Sequence, residues 1–210
     1  MAKRKSHKSQ PSNNGLSSQK RIPIPRNLGG DIKNRLSSDT FRCFVNASDN
    51  EEEPVELLIY EQVGEDFFGD GVSATGVVEF LNGNKGRDIK VRINSPGGLV
   101  FDGITIYNAL VAHDKNVEVT IEGLAASAAT IISSAGDTVK MNANASFMIH
   151  RALALAVGNE AVMTDTAKLL QKLDKQIAGT LAARSKLSTE EVLNLMIGEV
   201  DGEFFDAAEA

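Results

Sequence analysis

Two strand-to-helix passages in tandem constrain this 210-residue chain most. Residues 88–94 (DIKVRIN) alternate apolar and polar side chains, the period of a strand with one buried face. A sharp turn of Pro96, Gly97 and Gly98 follows, and residues 102–113 then carry Ile104, Tyr107, Leu110 and Val111 at helical spacing. Residues 116–121 (NVEVTI) read as a second strand. They lead into Gly123-Leu124-Ala125-Ala126-Ser127-Ala128-Ala129, read as a tight Gly-led turn, and the apolar stretch 125–135 beyond it can bury a helix. Strands alternating with helices predict an α/β fold with largely parallel pairing.

The flanking segments extend the same pattern. Residues 42–46 and 55–60 (VELLIY) read as strands, and 64–71 as a turn-rich loop. Residues 73–82 form a helical pattern with Ser73 as its cap. Residues 138–141 and 146–149 are short strands. Residues 160–184 form a long amphipathic helix with Val162, Leu169, Leu170, Leu173, Ile177 and Leu181 on one stripe. Ser188-Thr189-Glu190-Glu191 is a capping box that opens a last helix. No GxxxxGK[ST] occurs, so nucleotide hydrolysis is not encoded, and residues 82–86 (NGNKG) are a turn rather than a phosphate loop.

Charge divides the chain. Residues 1–36 are basic, with Asp31 as the one acid, and rich in Ser, Asn, Gln, Pro and Gly. Residues 1–40 are accordingly expected to be a disordered tail, and 41–210 a folded domain. Residues 48–56 reverse the sign with Asp49, Glu51, Glu52, Glu53 and Glu56, read as a loop and not a metal site. A net charge of −6 argues against nucleic-acid binding except through the basic tail. Cys43 stands alone, which excludes an internal disulfide and a multi-cysteine metal site. No apolar run approaches the roughly 20 residues of a membrane span.

The chemistry concentrates at Ser127. It sits at the mouth of the expected helix, where its hydroxyl would face the positive end of the helix dipole. Small neighbours leave that hydroxyl reachable, the setting of an exposed nucleophile. A serine in an Ala-rich run is more often a plain packing residue, so a partner base decides the matter. His7 lies in the tail and His113 at the polar end of a helix; His150 closes an apolar strand and offers a rigid mount. The Gly97-Gly98 turn after a buried strand lets backbone N–H groups approach a ligand, and such donors can hold a developing oxyanion.

These residues are recognisable together. Residues 94–98 (NSPGG), 102–110 (DGITIYNAL), 123–128 (GLAASA) and 148–150 (MIH) stand in the order and approximate spacing of ClpP-like serine peptidases. With residues 57–80 (LLIYEQVGEDFFGDGVSATGVVEF), the chain most resembles the ClpP-related proteases of tailed bacteriophages. The resemblance covers about residues 41–210. It implies a crotonase-like α/β fold of stacked ββα units, assembled into homo-oligomeric rings that enclose the active sites. It implies Ser127 as nucleophile, His150 as general base, and the N–H groups of Gly98 and Ala128 as oxyanion hole. For the acid, Gly202 stands where many relatives carry it; Asp201 is the choice, with Glu199 and Glu203 left open. The chain ends at Ala210, where relatives continue into another strand, so a truncated C-terminus is expected.

The implied activity is peptide-bond hydrolysis through an acyl-enzyme, with no metal and no organic cofactor. The implied partners are a protein substrate, a separate ATP-dependent unfoldase and, in the phage branch, capsid head-shell or scaffold proteins in the host cytoplasm. Three alternatives are weighed. A crotonase-fold acyl-CoA enzyme would not need the Ser127–His150 pair. A Ser/Lys peptidase lacks a well-placed lysine and an anchor. A catalytically weak structural ring protein is favoured only by the uncertain acid and the short C-terminus.

Overall fold

Burial of a common side-chain face assembles the sheet. The computed structural model describes residues 53–65, 71–198 and 202–210. Strand β1 (Val55–Ile59) pairs in parallel with β2 (Ile89–Ser95), and β2 pairs in parallel with β3 (Val117–Ala126). The ten-residue β3 is long enough to take two parallel neighbours on its other edge: β4 (Thr138–Met141) runs beside Glu118–Ile121, and β5 (Ser146–Ile149) beside Leu124–Ala126. A short β6 (Glu203–Phe205) closes onto β5, antiparallel. The α/β fold with parallel pairing expected from the sequence is the fold found.

One face of the sheet is the core. Val55, Leu57, Ile59, Ile89, Val91, Ile93, Val117, Val119 and Ile121 are all buried. Helix α1 (Ala74–Gly83) covers them with Val77, Phe80 and Leu81, and α2 (Val100–Val111) with Ile106 and Leu110. Ser73 caps α1 through Gly76 N–H. The opposite face carries charge: Lys140 pairs with Glu118 at 2.6 Å, and Arg92 with Glu122 at 2.7 Å. Exposed pairs of this kind contribute about 0–1 kcal/mol, so they mark a solvated face rather than a source of stability.

A second apolar cluster sits beyond the end of β3. Leu173, Ile177, Ala178 and Leu181 of α4 (Glu160–Ala182) pack with Val192 and Met196 of α5 (Thr189–Ile197), and with Ile131, Ile149 and Ala152. The Ser188 box is present in full, with Ser188 accepting from the Glu191 amide and Glu191 reaching back to the Ser188 amide.

Several expectations are corrected. Gly123 and Leu124 are not a turn: they belong to β3, whose ladder with β5 holds the strand straight to Ala126. The helix expected within 125–135 shrinks to α3 (Ala128–Ser133). Ile104, Tyr107 and Leu110 of α2 pack on the apolar clusters as expected and Ile106 is buried with them, whereas Val111, at the last turn of the helix, is exposed. Val162 and Leu169 are exposed, since only the second half of α4 reaches the body. His113 does follow the end of α2, but its ring is buried and Nε2 donates to the Arg87 carbonyl at 2.8 Å. The expected strand 42–46, the start of the domain near Phe41 and the basic tail lie outside the described residues.

The core makes a direct prediction. Ile93→Ala, in mid-sheet, should cost about 2–5 kcal/mol in chemical denaturation. Val139→Ala on the open face of β4 should stay within about 0.5 kcal/mol.

Candidate active site

Residue 127 is where β3 stops. The parallel ladder with β5 ends at Ala126 opposite Met148, and the chain must turn at once into α3. It does so with φ 54° and ψ −126° at Ser127, the one non-glycine with positive φ among the described residues. Such a conformation costs an L-residue of the order of 1–3 kcal/mol and persists only where its surroundings impose it. Here both backbone groups are held. The Ser127 amide donates to Met148 O at 3.0 Å, and its carbonyl accepts from the Thr130 amide at 2.9 Å and the Thr130 hydroxyl at 2.6 Å. With six residues, α3 has only a small dipole, and its first free amides carry the polarity it offers.

The glycine turn reaches Ser127 from β2. A side chain on Gly97, whose φ is 85°, would lie 2.4 Å from Ala126 O and 2.6 Å from Ser127 Cβ. Glycine is therefore required both for conformation and for contact. Ser95, buried at the end of β2, ties this turn down: its hydroxyl donates to Glu61 O at 2.5 Å and accepts from the Gly97 amide at 3.1 Å. The Gly97 carbonyl accepts from Val63 N–H, and Leu99 N–H donates to Val63 O, both at 2.8 Å. Across the trans Gly97–Gly98 peptide, the Gly98 N–H must then point away from Val63. Among the described residues no acceptor meets the Gly98 amide or the Ala128 amide.

His150 follows β5 directly. Because Met148 holds the Ser127 amide, the strand that carries His150 is pinned to the turn that carries Ser127. Gly202 lies against the same stretch: a side chain there would meet Ile149 O at 2.8 Å and His150 Cβ at 2.9 Å. Ser127, His150, Gly97, Gly98 and Ala128 together line one cavity of about 350 Å³. Its apolar wall comes from Val100, Ile131, Ile149 and Ile177. Asp201 and Glu199 lie outside the described residues. Glu203 pairs with Ile149, one residue short of His150. Among the described residues no group of three or more metal-ligating side chains occurs. Nor is any described helix long and apolar enough to cross a membrane.

The sequence reading missed Ser95 and Gln62. Gln62 also lines the cavity, and Ser95 shapes the turn beside it. A small polar residue ending an otherwise apolar face of β2 was the available signal for Ser95.

The arrangement provides a reachable hydroxyl, an imidazole on a rigid mount and two backbone N–H groups bordering one apolar-walled cavity. Comparison with known proteins bears on the family. The family model described as Clp protease matches residues 30–210. An ATP-dependent Clp protease proteolytic subunit from Bacteroides fragilis is 35% identical over 109 residues, covering 51% of this chain and 53% of the relative. Proteins of the same name from Ligilactobacillus salivarius (34% over 108 residues, 50% of this chain and 55% of the relative) and Lactococcus lactis subsp. lactis (33% over 111 residues, again 50% and 55%) are also similar. The chain spans about half the length of the curated relatives it matches.

Close packing at the turn is testable. Gly97→Ala should displace Ser127, and modification of Ser127 by a fluorophosphonate should fall by about a hundredfold or more. Mass spectrometry of the labelled peptide reads this directly.

Proposed function

The chain belongs to the Clp protease family, and we propose that it is a serine-type endopeptidase with Ser127 as nucleophile and His150 as general base. The observation that carries this reading is the strained Ser127 lining the same cavity as His150. His150 takes the proton from Ser127 Oγ as the oxygen attacks a peptide carbonyl. The amides of Gly98 and Ala128 receive the oxyanion. His150 then protonates the leaving amine, and water hydrolyses the acyl-enzyme by the reverse sequence. The apolar wall suits a substrate with an apolar side chain beside the scissile bond.

Asp201 is the proposed third member of the triad. Its support is the neighbouring Gly202, packed against His150 with φ 133°, a conformation open to glycine. Its role would be to hold the imidazole tautomer and stabilise the imidazolium.

The proposal extends to assembly and biology. Leu153, Leu155 and Val157 are 69%, 96% and 86% exposed, and they run into the exposed Val162, Met163 and Leu169 of α4. So much apolar surface in one stretch suits burial by further copies in a ring. That the relatives are proteolytic subunits of an ATP-dependent protease supports a separate ATP-dependent partner. The likeness of residues 57–80 to the phage-associated branch supports capsid or scaffold protein as substrate, in the host cytoplasm.

Ser127→Ala should abolish peptide hydrolysis and fluorophosphonate labelling with the fold intact by circular dichroism. Labelling at another serine overturns the assignment. Asp201→Asn should lower kcat by up to about 10⁴-fold, while Glu199→Gln and Glu203→Gln stay within about tenfold of the parent. If Glu203→Gln is the dead variant, Glu203 is the acid.

Light scattering should find an oligomer of several subunits. Leu155→Glu with Val157→Glu should reduce its mass. A monodisperse monomer at high concentration would count against the ring.

A further inference from the structure

The strand that mounts His150 ends at Ile149, where its last pairing with β6 is made. The next residues still have to be held, because 150–153 line the cavity. A contact from outside the sheet holds Ala152. The Ala152 amide donates to Asp174 Oδ1 at 2.7 Å, across 22 residues of sequence. A short bond to a carboxylate is among the stronger hydrogen bonds a backbone amide can make.

Asp174 is placed to act as a fixed post. It lies on α4 next to Leu173, where the helix enters the body, and one turn before Ile177. Leu173 and Ile177 are buried in the cluster that also contains Ile149 and Ala152. The helix, the strand end and the carboxylate therefore form one packed unit. Ala152 is buried, so removal of Asp174 leaves its N–H without a partner in an apolar setting. The chain from His150 to Leu153 would then shift to find another acceptor. Nothing in the spacing of residues 160–184 marks Asp174 for this purpose; it reads there as one more solvated charge.

We infer that Asp174 is a positioning residue: by holding the Ala152 amide it sets the imidazole of His150 and the adjoining cavity edge against Ser127. The inference rests on the serine-peptidase reading above. Displacement of a catalytic group by a fraction of an ångström to an ångström lowers rates by about ten- to a hundredfold.

The test compares Asp174→Ala, Asp174→Asn and the control Asp165→Asn, an exposed α4 substitution, in the full chain. Amide hydrogen exchange at Ala152, which needs no activity, should accelerate in Asp174→Ala. The rate of Ser127 labelling by a fluorophosphonate and kcat should both fall about ten- to a hundredfold. KM should change little, and the pH profile of kcat/KM should move with kcat. Asp174→Asn keeps an oxygen acceptor and should recover most of the rate. Asp165→Asn should match the parent. Parental labelling in Asp174→Ala despite faster Ala152 exchange overturns the inference and leaves the serine-peptidase reading standing. Absence of Ser127 labelling in the parent itself removes that reading, and the inference with it, while the exchange data still report the contact.

Discussion

The hydrogen bond from the Ser127 amide to Met148 O organises the site. A non-glycine residue with φ 54° would relax if its neighbours allowed it. It cannot relax here, because its amide belongs to the edge of β5 and its carbonyl to the first turn of α3. The same bond brings β5 alongside the end of β3, so that His150 emerges within reach of the cavity that Ser127 lines. Strand pairing and the conformation of the proposed nucleophile are thus one constraint. A shift in the β3–β5 register would release the strain at Ser127 and move His150 at the same time.

Missing side chains let the elements close around that point. Gly97 brings the β2 turn against Ser127, and Gly202 brings the chain before β6 against His150. Gly103 of α2 completes the set, since a side chain there would meet Ala128 Cβ at 3.0 Å. The small-residue packing of α3 against a neighbour is therefore compatible with a half-buried Ser127 that lines the cavity at the mouth of that helix.

Stability and chemistry are separated in space. The inner face of the sheet, under α1 and α2, is a closed apolar layer. The cavity opens where this layer meets the second cluster, built from α4, α5 and the end of β5. The outer sheet face is polar, with Glu122 as its centre. Partial burial alone would raise the Glu122 carboxyl, but hydrogen bonds from Tyr60 and Arg92 outweigh it and hold the group below its ordinary range. A parallel sheet more often carries apolar residues on both faces. Here the charges form ion pairs and hydrogen bonds across strands instead.

Local pattern alone determined much of this molecule. Alternation in 88–94 and 116–121, the Ser73 cap, the Ser188 box and the strands 138–141 and 146–149 were all legible, because each depends on neighbours in the chain. The candidate residues Ser127, His150 and the Gly97-Gly98 turn were legible for a related reason: each stands where an apolar strand stops, and only certain residue types suit such a place. Where β3 ends was not legible, because Gly123-Leu124 has turn-like composition, while the pairing of Leu124–Ala126 with β5 and of Ala125 with Ser95 carries the strand on to Ala126. The exposure of Val111 at the end of α2 and of the first half of α4 depended on what these helices pack against. The burial of His113 and the reach of Asp174 to Ala152 join residues 26 and 22 positions apart, and no periodicity connects them to their partners. Sequence specifies which segments can be strands and helices; the shared burial of their faces decides where each one stops and which distant side chains meet.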